Sequence, residues 1–118
     1  MAKKKNKQRQ ITGWILAILA SIMPTFGGIG KLYLPEMQET MQSYDLQEWT
    51  TIIGVAELIE VILFLIPRTN IYGVLLLSAH MGGAIVLHMS NGESFIMQSI
   101  VLILVWLTGI VRNPSVFR

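Results

Sequence analysis

Apolar residues fall in four long runs along this chain, at 11–30, 50–66, 71–89 and 94–111, with short polar breaks between them. A helical membrane span needs about 20 mostly apolar residues, so each run reads as one span. Segment 31–49 is polar by comparison. It carries Leu34, Met37, Met41 and Tyr44 at helical spacing, which predicts a short amphipathic helix after Pro35 on the outer surface. Pro67-Arg68-Thr69-Asn70 and Ser90-Asn91-Gly92-Glu93 read as tight turns. Pro24 predicts a kink in the first span, and Gly27-Gly28-Ile29-Gly30 a flexible end to it. The pattern predicts an all-α transmembrane four-helix bundle, with the short amphipathic helix between spans one and two. Residues 1–10 form a basic tail, 11–112 the membrane domain and 113–118 a second short tail.

Short turns after spans two and three make consecutive helices antiparallel neighbours. Gly73, Ser78, Ala79, Gly82, Gly83 and Ala84 give span three a small-residue face, and Gly54 and Ala56 do the same for span two. Gly82-Gly83 therefore reads as a close helix contact rather than a site of ligand approach. The first apolar run is too long for a signal-peptide core, and no A-x-A site lies near Ala20, so it reads as a retained span.

Composition agrees. The chain has 118 residues, of which 53% are hydrophobic and 14% charged. Its mean hydropathy is +0.57. A soluble domain carries about 25% charged residues. Four spans use nearly the whole length and leave no room for a soluble catalytic domain. There are no cysteines, which excludes disulfides, thiolate metal sites and cysteine redox relays. The pI near 9.2 hints at nucleic acid, but Lys3, Lys4, Lys5, Lys7 and Arg9 crowd the first ten residues. A basic run before an apolar segment is a topology signal, and no nucleic-acid partner is expected. With the N-terminus cytoplasmic, Arg68, Arg112 and Arg118 join those five on the inner side, against Lys31 alone outside. Both termini are thus expected to be cytoplasmic, in a bacterial plasma membrane.

Glu57 and Glu60 interrupt the second span, three residues apart and so on one helix face. An ionisable group at mid-bilayer costs about 2.5–3.5 kcal/mol on insertion scales, so such groups mark candidate sites. At about 1.5 Å per residue, Glu57 lies about 10 Å, Glu60 about 15 Å and His80 about 13 Å below the outer boundary. His88 stands two turns higher, and the Lys31 stem can reach inward from above. The five form a candidate pocket for ligand binding or proton exchange. A purely structural hydrogen-bonded network is the competing account. A metal is not expected, because His80 and His88 stand eight residues apart and no Glu-x-x-His pair is present. Haem is not expected either, and no nucleotide or Ser/His/Asp motif occurs.

These residues resemble the DoxX-like family of small four-span membrane proteins. The resemblance rests on Gly30-Lys31, the acidic segment after it, and Gly-Val-Ala-Glu-Leu-Ile-Glu at 54–60. It continues with Pro67-Arg68-Thr69, His80-Met81-Gly82-Gly83-Ala84 with His88, and Trp106-Leu107. The resemblance implies a membrane component associated with quinol oxidation, oxidative stress or quinone resistance, with more distant relatives acting as chaperones. It also implies that Lys31, Glu57, Glu60, Arg68, His80 and His88 occupy polar positions of the family pattern. The leading expectation is an outer-half pocket for a small lipophilic molecule such as a quinone. His80 and Glu57 or Glu60 would exchange its protons, and Lys31 would cap the pocket. The chain supplies no electrons of its own, so it is expected to be an accessory subunit rather than an enzyme. A proton-coupled transporter, as a homo-oligomer, and a chaperone with a membrane-protein partner are the alternatives.

Overall fold

The computed structural model describes residues 2–117. Its helices are α1 (Ala2–Tyr33), α2 (Pro35–Ser43), α3 (Thr50–Leu65), α4 (Asn70–Ser90) and α5 (Ile96–Arg112), with one 3-10 turn over Gln47–Trp49. The described residues contain no strand. The basic segment from Ala2 onward forms the first turns of α1, because Lys, Gln and Arg are good helix formers and extend the apolar helix that follows. Helix α1 runs unbroken through Pro24 and through Gly27, Gly28 and Gly30, so the glycine run is not a flexible end.

Four long helices close into a bundle, in which α1 and α4 each pack against both α3 and α5. Two of them, α1 over Lys4–Tyr33 and α4, are long and apolar enough to cross a membrane. Helices α3 and α5 have 16 and 17 residues. At about 1.5 Å per residue each covers about 25 Å, short of a hydrocarbon core of about 30 Å.

The core joins Ala17 and Ala20 of α1, Val61 and Phe64 of α3, Val74, Leu77 and Met81 of α4, and Val101 and Val105 of α5. The outer faces are also apolar: Ile22, Phe26, Ile52 and Ile103 are each about 60% exposed. Glu57, Asn70, Gln98 and Thr108 are buried. Apolar residues outside and polar ones inside fit a protein whose surroundings are lipid.

Glycines set the helix approaches. A Cβ on Gly73 would lie 2.3 Å from the Phe64 backbone, and one on Gly28 would lie 3.1 Å from the Gly54 carbonyl. Gly82 and Gly83 correct the expected contact, since a Cβ on either meets nothing within 4 Å. The packed stripe of α4 is Val74, Leu77 and Met81. At about 100° per residue, the two positions after Met81 rotate off that stripe.

At the end of the bundle that holds Trp14, Arg112 donates to the Phe64 and Leu65 carbonyls at 3.1 and 2.8 Å and lies 4.5 Å over the Trp14 ring. Asn70 donates to the same Phe64 carbonyl, and Asn113 donates to Asn70 Oδ1. The last carbonyls of α3 are thereby paired, and the C-terminal segment is tied to the α3–α4 turn.

Candidate functional site

Lys31 ends α1, Glu57 and Glu60 stand one turn apart on α3, and His80 is at mid-α4. Lys31 Nζ lies 2.8 Å from Glu57 Oε1 and donates to it. His80 Nε2 is 3.6 Å from Glu57 Oε2, and its Nδ1 is 3.1 Å from Glu60 Oε1. Glu60 Oε1 nonetheless accepts no well-directed hydrogen bond, so this contact is one of charge proximity. Glycine makes the ion pair possible. A Cβ on Gly27 would sit 3.1 Å from the Glu57 carboxylate, and one on Gly54 would sit 3.1 Å from Lys31 Cβ.

Lys31, Glu57 and His80 line a cavity of about 680 Å³, and Glu60 does not; it stands behind His80. The rest of the wall is mostly apolar, with Met37, Thr40, Met41 and Tyr44 contributed by α2 and its end. The amphipathic helix therefore covers the cavity. His88 also lines it, apart from the Lys31–Glu57–His80 group. Its Nε2 is 3.2 Å from Gln98 Nε2, and its Nδ1 is 3.3 Å from Glu93 Oε1. Tyr44 donates its hydroxyl to that same Glu93 oxygen. Burial first, and then the hydrogen bond and negative charge of Glu93, push the Tyr44 phenol up to about 12.

The cavity thus has two polar groups on its wall. One holds a cation, a carboxylate and an imidazole, which can bind an oxygen and pass a proton. The other is an imidazole paired with a carboxamide. Gln98, Tyr44 and Glu93 are absent from the sequence-derived candidates. Gln98 carries a signal, being a polar side chain in the first turns of the fourth apolar run at the level of His88. Tyr44 reads in sequence as part of the apolar face of the amphipathic helix, and Glu93 as part of a turn.

The model of the DoxX-like family matches residues 15–109. The chain belongs to the DoxX-like family. No curated protein and no solved structure matches it. The DoxX-like match spans both polar groups of the cavity, from Lys31 to Gln98, and stops short of Arg112.

Proposed function

We propose that this DoxX-like protein crosses the membrane four times, with both termini cytoplasmic, and that its cavity binds a small lipophilic molecule. A quinone is the specific candidate. The observation that carries the reading is the mostly apolar cavity of about 680 Å³ with Lys31, Glu57 and His80 on its wall. Cavities of about 300–1,000 Å³ with apolar walls and a few convergent polar groups suit small ligands. The eight cations on one side of the four apolar runs, against Lys31 on the other, support the orientation.

In this reading His80 and Glu57 hydrogen-bond a ligand oxygen and exchange its proton, and Lys31 holds Glu57 in place. Glu60, behind His80, is a further proton holder. The protein is an accessory component of a redox or stress-related system in a bacterial plasma membrane, and electrons come from a partner. Titration of the purified protein in nanodiscs with decylubiquinone tests this. Saturable binding by the wild type, lost in Gly83→Leu, is the expected result. Gly83 lines the cavity and has free space beside it, so a larger side chain there fills the cavity without disturbing the packed core. Absence of saturable binding, or equal binding by the variant, contradicts the reading.

A further inference from the structure

Gln98 is buried at 8% exposure and lines the cavity, and its Oε1 has no hydrogen-bond partner. An unpaired buried amide oxygen is destabilising unless something supplies a donor. Its neighbour fixes which way the amide is turned. Glu93 lies 3.3 Å from His88 Nδ1, and its carboxylate also accepts from Tyr44. Nδ1 makes no well-directed hydrogen bond, so the contact is one of charge proximity, and that negative charge favours the imidazole proton on Nδ1. His88 Nε2 is then a lone pair, so Gln98 Nε2, 3.2 Å away, donates to it. The amide oxygen is left over on the cavity wall.

We propose that Gln98, oriented by His88, forms a second polar subsite of the cavity that accepts a hydrogen bond from a hydroxyl group of the bound molecule. This rests on the reading of the cavity as a ligand site and adds the chemical class of the ligand. The Lys31–Glu57–His80 end of the cavity carries donors as well as an acceptor, so the discrimination comes from Gln98. An acceptor there selects a ring carrying a hydroxyl group over the corresponding ketone. The bound form is therefore the reduced, hydroxylated one.

The test is anaerobic equilibrium binding of decylubiquinol and decylubiquinone to the full chain in nanodiscs. The wild type is expected to bind the quinol at least about fivefold tighter. Gln98→Met and Gln98→Leu, both apolar and close in volume, are expected to remove that preference. The thermal unfolding of each variant confirms that it is folded, and either variant serves. An unchanged quinol-to-quinone ratio in a folded variant, or a wild type that prefers the quinone, overturns the subsite and leaves the cavity reading intact. Failure of both molecules to bind the wild type overturns both.

Discussion

Lys31 Nζ and Glu57 Oε1 meet at 2.8 Å between α1 and α3, with only 16% and 4% of their side chains exposed. The pair closes where Gly27 and Gly54 remove the side chains that would keep the two helices apart. Two groups that are each costly in an apolar setting are thereby made to neutralise one another.

Removing one partner leaves the other buried and unpaired. Lys31→Met or Glu57→Gln alone is expected to cost about 2–3 kcal/mol, less than a completely buried pair because the Lys31 side chain keeps some exposure. The double variant is expected to recover at least about 1 kcal/mol relative to the sum. Unfolding of all four proteins in one detergent gives the cycle, and strict additivity counts against a stabilising pair.

The glycines of α4 are expected to behave oppositely. Gly73→Ala drives a Cβ to 2.3 Å from the Phe64 backbone and is expected to cost at least about 1–3 kcal/mol. Gly82→Ala meets nothing and is expected to be neutral or to stabilise by up to about 1 kcal/mol through helix propensity. Thermal unfolding of the two variants side by side decides it.

Arg112 pairs the last carbonyls of α3 and covers Trp14. Arg112→Gln keeps a donor but loses the charge and the stacking, and is expected to cost about 1–2 kcal/mol. Quenching of Trp14 fluorescence by the guanidinium should also change, which Trp14→Phe controls identify.

Tyr44 gives a pH dependence with a definite sign. Its folded value of about 12 lies above the usual 10.0 of a tyrosine, so the neutral phenol is the form that the fold favours. The stabilisation is complete below about pH 10 and is lost as pH rises through about 12. Ultraviolet titration should show one late tyrosinate step that Tyr44→Phe removes and Glu93→Gln moves to lower pH.

Much of this geometry was readable from residue spacing. The level shared by Glu57, Glu60 and His80 follows from helix rise alone, because α3 and α4 are antiparallel neighbours joined by a turn at Pro67. The contact between α2 and the cavity was not readable, since an amphipathic helix says which face is apolar and not what that face covers. Gly82 and Gly83 resemble Gly73 as sequence, yet only Gly73 lies on the packed stripe; rotation about the helix decides, and it depends on the neighbours. Gln98 carries no charge and has no ionisable side chain near it in the fourth apolar run, so the charge pattern does not single it out. Its partner, His88, is on another helix.

The central claim is that the cavity between Lys31, Glu57 and His80 is a ligand site rather than internal packing space. Mass spectrometry of protein extracted from native membranes in mild detergent tests it most directly, with the wild type and Gly83→Leu purified in parallel. The account predicts a small lipophilic molecule near one equivalent on the wild type and none on a folded Gly83→Leu. No bound molecule on the wild type, or the same load on both proteins, would contradict it.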